Sequence, residues 1–308
     1  MKSSTAAKPK VSVVVCTYNR LGLLKQCLNS ILGNDFADYE LIVVDDNSTD
    51  GTAEYLRKIA LSDNKVSVVT HKKNVNIAAS RNAGIKKSKS DIVLFTDDDC
   101  IVSKTWIKEM LASFANSRAD FVIGNVIYNK HRYRGRFPER IITNSSATFP
   151  MGCNIAYKKS IFKKIGGFDT KNFSDYHEDR EMALRAIAAG YSFISNPKAV
   201  VYHQKTLWSS SSLLKSSKAV AAWPKLKSIH PDHYLYFPAK FVKFGFLIHP
   251  EDYLIIIFYP ILLPLLLVRY LRGGNRDLAI FFAKWPVFFL LRRYYIYKSS
   301  IAYKTFMF

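Results

Sequence analysis

Over its first hundred positions the chain places apolar residues in short unbroken runs, each followed by a longer amphipathic stretch. Val11 to Val15, Leu41 to Val44 and Ile92 to Phe95 show no polar alternation, the pattern of strands buried on both faces of a parallel sheet. Val66 to Val69 reads as a further strand. Apolar residues at helical spacing predict helices over Leu21 to Leu32, Thr52 to Leu61 and Ala78 to Lys87. Asn47-Ser48-Thr49-Asp50-Gly51, directly before the second of these, supplies side chains that cap a helix start. The alternation of strand and helix implies a doubly wound α/β sheet with helices on both faces. Such sheets bind ligands beyond the carboxyl ends of their strands.

That rule singles out three polar clusters: Cys16-Thr17-Tyr18-Asn19, Asp45-Asp46-Asn47 and Asp97-Asp98-Asp99. None carries the glycine-rich cradle of a Rossmann or Walker loop, so phosphate charge must be met in another way. Three adjacent carboxylates repel one another unless a cation sits among them, and hard divalent ions take oxygen ligands. A metal-bridged diphosphate is the simplest ligand for such a crevice. A solvated acidic turn is the alternative for Asp97 to Asp99, weakened by its place directly after a buried-looking strand.

Composition narrows the class. In 308 residues, 45 are Lys or Arg and 24 are Asp or Glu, a net charge of +21, and 49% are hydrophobic, which excludes a disordered or low-complexity chain. Cys16, Cys27, Cys100 and Cys153 form no C-x-x-C pair, so zinc-ribbon and dithiol spacings are absent and a reducing compartment is expected. The apolar run behind the polar start MKSSTAAKPK is too short for a signal-peptide core, which leads us to expect the chain on the cytoplasmic side. No helix-turn-helix, RNP or zinc-finger pattern accompanies the positive charge, so nucleic acid is not the expected partner.

Much of that charge lies late. Residues 201 to 308 carry 15 basic and 4 acidic side chains, together with two apolar runs, Leu254 to Val268 and Leu278 to Leu291. Both runs fall short of the ~20 residues that span a bilayer. Arg269, Arg272, Arg276, Arg292 and Arg293 flank them, so a hairpin lying on or re-entering an anionic cytoplasmic leaflet is the expectation. Two core helices, or an interface that makes a homo-oligomer through the C-terminal region, are the alternatives.

Five segments in order resemble glycosyltransferase family 2: VSVVVCTYNR (11–20), LIVVDDNSTDGT (41–52), ASRNAG (79–84), FTDDD (95–99), and the stretch from MGCNIAYKKSIFKKIGGFD (151–169) to HEDREMALRAIAAGY (177–191). The resemblance covers roughly residues 11 to 205. It implies the GT-A fold, a doubly wound mixed, mainly parallel sheet flanked by helices, and an inverting, metal-dependent enzyme that uses a nucleotide-diphospho-sugar. Tyr18 and Asp46 would then hold base and ribose, with Cys16 at the same strand end also binding the donor and Arg81 positioning the nucleotide. Asp97 and Asp99 match the Asp-x-Asp motif that brings Mn2+ or Mg2+ to the diphosphate, Asp98 would face the sugar or ribose, and His203 would complete the metal site. Asp179 matches the general base, while Glu178 and Asn154 match acceptor-side positions. Gly166-Gly167-Phe168 would make a tight turn before the acceptor loop.

Two departures matter. Asn74-Val75-Asn76 stands where the family often has Asn-x-Gly, and Gln204-Lys205-Thr206-Leu207-Trp208 lacks the arginine of the processive Gln-x-x-Arg-Trp motif and comes early. Transfer of a single sugar, to a glycan or lipid-linked acceptor, is therefore expected. The organisation expected is a disordered tail (1–10), a catalytic domain (11–208), a linker or lid with helices (209–252) and an apolar, basic membrane-associated region (253–308). A catalytically silent membrane adaptor is the competing reading from another class, and a nucleotidyltransferase lacks its glycine-rich activating loop.

Overall fold

The computed structural model describes residues 8–128, 139–140, 142–174, 176–204, 206–207, 210–237, 242–243, 246–247, 257–261, 263–265, 267–268, 271 and 283–307. The chain divides into two compact units, Met1–Asn129 with Ile142–Gln204, and Lys130–Ile141 with Lys205–Phe308.

In the first unit, β1 (Val11–Thr17), β2 (Tyr39–Asp45), β3 (Val66–Thr70) and β4 (Ile92–Asp97) alternate with α1 (Leu21–Leu32), α2 (Thr52–Ser62) and α3 (Ile77–Lys87), close to the bounds that periodicity predicts. The four strands are parallel neighbours. Every residue of β1 and β2 is buried, which is why neither alternates in sequence. Asp50 serves two helix starts at once. Its Oδ2 accepts from the Leu21 amide at 2.9 Å, and its Oδ1 accepts from the Thr52 amide at 3.2 Å and hydroxyl at 2.6 Å. One carboxylate thereby meets orphan donors and the positive dipole end of both α1 and α2.

The chain continues through β5 (Cys100–Val102), α4 (Trp106–Ala115), β6 (Phe121–Tyr128), β7 (Glu139–Arg140), β8 (Ile155–Lys158), α5 (Lys159–Ile165), α6 (Glu178–Ala188) and β9 (Phe193–His203). All of these strands but β7 join one eight-stranded sheet in the order β3-β2-β1-β4-β8-β6-β9-β5. β8 runs antiparallel to both β4 and β6, and β5 antiparallel to β9, so the sheet is mixed as expected. The β6 and β9 ladder is interrupted: Gly124 faces Asn196, but Asn125 faces Val200. The three β9 residues between, 197–199, form a bulge whose backbone groups need partners from outside the ladder.

In the second unit, β7 pairs with β10 (Thr206–Leu207), and α7 (Ser210–Ser216) leads through a 3-10 turn to α8 (Ala222–Ile229). A short hairpin joins β11 (Val242–Lys243) and β12 (Phe246–Leu247), and α9 (Trp285–Ala302) follows. Ser299 donates to the Ala221 carbonyl at 2.6 Å and Lys227 to the Phe306 carbonyl at 3.1 Å, tying α9 and the chain end to the α8 region. Phe289 and Ile296 are buried, while Val287, Leu290, Tyr294, Tyr297 and Ile301 are exposed at three-four spacing, an apolar stripe along α9. Among the described residues, no helix is long and apolar enough to cross a membrane. Residues 272–282, which the expected helical hairpin needs, lie outside the described residues, as do residues 1–7 of the expected disordered tail.

Candidate active site

Parallel register brings the first two polar clusters to one edge of the sheet, with Cys16 opposite both Val44 and Asp97, and Thr17 opposite Asp45. Asn19 and Asn47, just beyond β1 and β2, have positive φ angles of 52° and 69°, which asparagine tolerates better than most residues. Tyr18 stands 46% exposed, its ring available to a ligand. The Cys16 thiol is buried, and burial pushes its pKa far up, so it is neutral. Asp46 is also buried and holds a loop: its Oδ1 accepts from the Val75 amide at 2.8 Å and its Oδ2 from the Asn76 amide at 3.1 Å.

Asn76 itself sits at φ 84° and ψ 167°, backbone territory that glycine favours, while its Oδ1 caps α3 by accepting from the Ala79 amide at 3.1 Å. The departure from Asn-x-Gly thus keeps the glycine-like turn and adds a cap. Asn76→Ala is expected to lose about 1 kcal/mol or more, because the cap goes and the strain stays. Asn76→Gly should lose less, as the turn relaxes; urea unfolding checks the ranking, and equal losses would contradict it.

The acidic turn after β4 separates its three carboxylates. Asp98 is buried and turns inward, accepting from the Thr17 hydroxyl at 2.7 Å and from Arg20 at 3.1 Å. Burial, partly opposed by Arg20, pushes its pKa up to about 6. The expectation that Asp98 faces sugar or ribose is therefore corrected: it braces the turn against β1. Asp99 accepts from the same Arg20 nitrogen at 3.2 Å and faces His203 Nε2 at 3.4 Å, while the Cys100 thiol donates to it at 3.7 Å. Antiparallel pairing of Cys100 with His203 is what carries the histidine to this point. Asp97 is one-third exposed, and its Oδ1 accepts from Arg81 at 3.0 Å.

His203 bears on the expected metal. Its Nδ1 lies 2.8 Å from the Gln204 carbonyl oxygen, and a carbonyl only accepts, so the proton is on Nδ1. Nε2 is thereby turned toward the Asp99 carboxylate. A carbonyl behind a ligating histidine is the usual orienting partner. Asp99, Cys100 and His203 each bring a ligand atom within 4.8 Å of the others. Among the described residues Asp97, the other expected ligand, is not part of that group; the Asp99 carboxylate and the His203 imidazole suit a divalent ion, whereas burial pushes the Cys100 thiol up and keeps its proton on.

The second half of the site grows from α6. Glu178, Asp179 and Glu181 lie in its first turn, where the helix dipole favours negative charge. His177 before them has φ 62°, a left-handed residue that starts the helix abruptly. Asp179 is oriented by two backbone amides, Gly152 to its Oδ2 at 2.8 Å and Arg180 to its Oδ1 at 2.7 Å. Arg185 pairs with Glu181 at 2.8 and 2.9 Å and donates to the carbonyls of Ile165 and Gly167 at 2.6 and 2.7 Å, fastening α6 to the end of α5. Gly166 takes φ 85° in the expected Gly-Gly-Phe turn, and Asn82 of α3 grips Phe168 through reciprocal bonds of 2.9 and 2.8 Å. Arg81, buried, reaches Glu178 with one terminal nitrogen and Asp97 with the other. Glu178 is pushed up by burial, with Asp179 adding to the shift and Arg81 opposing it.

Asn154 does not line an acceptor cleft. It has 0% exposure; its Nδ2 donates to the carbonyls of Asn125 at 2.7 Å and Ala199 at 2.8 Å, and its Oδ1 accepts from Trp106 Nε1 at 2.8 Å. It fills the β6 and β9 bulge, a tertiary role that no local pattern announces. Sequence analysis gives no role to Arg20 or Cys100 and none of its own to Thr17, although Thr17 stands in the first polar cluster, Arg20 directly follows it and Cys100 follows Asp99. The nearest signal for Arg20 was a cation directly after Tyr18-Asn19.

Residues 12–173, over half of the chain, match Glycosyl transferase family 2. The chain belongs to that family. It is 28% identical to Glycosyltransferase AglE of Haloferax volcanii over 199 residues, 61% of this chain and 64% of that one. It is 29% identical over 184 residues to a GalNAc(5)-diNAcBac-PP-undecaprenol beta-1,3-glucosyltransferase of Campylobacter jejuni, 57% of this chain and 58% of that one. The chain thus spans less than two thirds of the length of either relative. Among solved structures, the mannosyltransferase PcManGT from Pyrobaculum calidifontis, in complex with GDP-Man and Mn2+, superposes with a TM-score of 0.62 at 18% identity, over 96% of this chain and 88% of that one. That likeness establishes a GT-A-like fold.

Proposed function

We propose that the chain moves one sugar from a nucleotide-diphospho-sugar to an acceptor hydroxyl with inversion at the anomeric carbon. The observation that carries the reading is the placement of Asp179: a carboxylate held by two amides, one residue from Glu178, which a single guanidinium links to the acidic turn. In this reading Tyr18 lies against the base, and Asp46 shapes the 75–76 loop beside it. Asp97, Asp99 and His203 would hold the divalent cation, manganese or magnesium. When bound, that cation offsets the charge that builds on the departing diphosphate. Asp179 takes the proton of the acceptor hydroxyl as its oxygen bonds to the anomeric carbon. The bond from that carbon to the phosphate oxygen breaks, and its electron pair leaves with the nucleoside diphosphate.

The acceptor proposed is a lipid-linked glycan, the class named for the Campylobacter relative. The site of action proposed is the cytoplasmic face of the membrane. Support comes from the exposed stripe on α9, from exposed Ile257, Phe258, Ile261, Leu265 and Val268, and from the excess of basic over acidic residues after position 200. The protein should float with vesicles containing anionic lipid, and a Leu290→Asp, Ile301→Asp variant should lose at least about tenfold in partitioning, given ~1 kcal/mol or more per buried apolar side chain. Unchanged partitioning would remove the membrane-surface reading. Labelled sugar should enter a lipid extract; product on soluble glycan only would replace the lipid acceptor.

A further inference from the structure

Arg81 was expected to touch the nucleotide, yet the site gives its guanidinium other work. Both terminal nitrogens are bound inside the protein, one to Glu178 and the other to Asp97 at 3.0 Å. Only 4% of the side chain is exposed, and the guanidinium lies 5.5 Å over the Phe168 ring. Gly152 packs so closely that a Cβ there would collide with the guanidinium. The amide of that same Gly152 holds Asp179 at 2.8 Å. A closed circuit results: Arg81 to Glu178, along the backbone to Asp179, across to Gly152, and back to the guanidinium. Asn82, the next residue of α3, fixes the helix by gripping Phe168.

We propose that Arg81 is a positioning residue that holds Asp97 and the start of α6 in one register, so that Asp179 faces the donor site, and that it is not a ligand of the nucleotide. The proposal rests on the sugar-transfer reading of this site. It carries a consequence that a nucleotide ligand would not. The guanidinium places positive charge on an oxygen of Asp97, one of the carboxylates assigned to the cation, and so competes with that cation. Removing the charge strengthens metal binding while it slows transfer.

The test uses the full chain and Arg81→Met, Arg81→Lys, Gly152→Ala and the double variant Arg81→Met, Glu178→Gln. The double variant removes both charges of the buried pair and leaves neither one bare, which protects folding. Manganese affinity is read by electron paramagnetic resonance with Mn2+ alone, and UDP and GDP affinities by calorimetry in saturating Mn2+. In Arg81→Met, where only the positive charge goes, the Mn2+ Kd should fall by about three- to tenfold, and in the double variant, which also loses a negative charge, in the same direction but by less. Nucleotide Kd should stay within about twofold, and kcat should fall by about ten- to a hundredfold with little change in KM, the mark of lost alignment. Gly152→Ala, which displaces the guanidinium without changing a charge, should lower kcat in the same way, and Arg81→Lys should recover part of it. Weaker nucleotide binding with a raised KM would overturn the proposal in favour of a nucleotide ligand. Weakened Mn2+ and nucleotide binding together with a lower melting temperature, and no recovery with lysine, would reduce Arg81 to a structural strut. Should the unaltered protein transfer no sugar, the sugar-transfer reading fails by itself, and the Mn2+ and nucleotide affinities still decide the role of Arg81.

Discussion

Asp179→Asn should lower the turnover of sugar transfer by about 10²- to 10⁴-fold, the range that a positioned general base supplies. The replacement keeps the size of the side chain but not its chemistry. An amide has one accepting oxygen, whereas Asp179 holds the Gly152 and Arg180 amides with two. The proposed base is removed and its anchoring is halved. Donor and Mn2+ affinities should stay within about twofold, because the carboxylate bonds to these two amides rather than to the acidic turn. Steady-state kinetics with calorimetry on the same preparation measures both, and a variant that keeps more than a tenth of the turnover contradicts the assignment of the base.

The largest loss of stability is expected from Asn154→Ala. The change strips donors from the carbonyls of Asn125 and Ala199 and the acceptor from Trp106 Nε1, all in a fully buried place. At about 1–3 kcal/mol for each buried polar group left without a partner, a loss of about 3 kcal/mol or more follows. Urea unfolding should show it. If the variant instead unfolds like the parent and raises KM for acceptor, Asn154 belongs to the acceptor site after all and the bulge has another support.

These two residues show where the sequence could be read and where it could not. Strands β1 to β4 and helices α1 to α3 were legible because a strand buried on both faces, or a helix with one apolar face, leaves its period in consecutive residues. The strand-end clusters were legible because parallel register puts successive strand ends side by side. Asn154 looked like a cleft residue, since nothing near it in sequence reveals the skipped register between β6 and β9, which is set by residues 124–125 and 196–200. Asp98 looked like its neighbours, but alternation along the turn sends it inward to Thr17, 81 positions away. Arg81 and Glu178 are 97 positions apart, and their ion pair exists only once α3 and the start of α6 have come together in the folded unit. Pairings of that kind are tertiary facts, and a local pattern holds no trace of them.

The central claim is that this crevice cleaves a nucleotide sugar with a divalent cation and delivers the sugar to an acceptor. It is tested most directly by incubating membranes that contain the protein with a panel of nucleotide sugars, with Mn2+ or with chelator, while nucleoside diphosphate release and sugar incorporation are followed together. The account predicts that one donor gives release matched by incorporation, both lost with chelator and both lost in Asp179→Asn. Absence of release and incorporation from every donor, in membranes that supply lipid acceptor and with nucleotide binding intact, would contradict it and favour a protein that binds sugar nucleotides without transferring them.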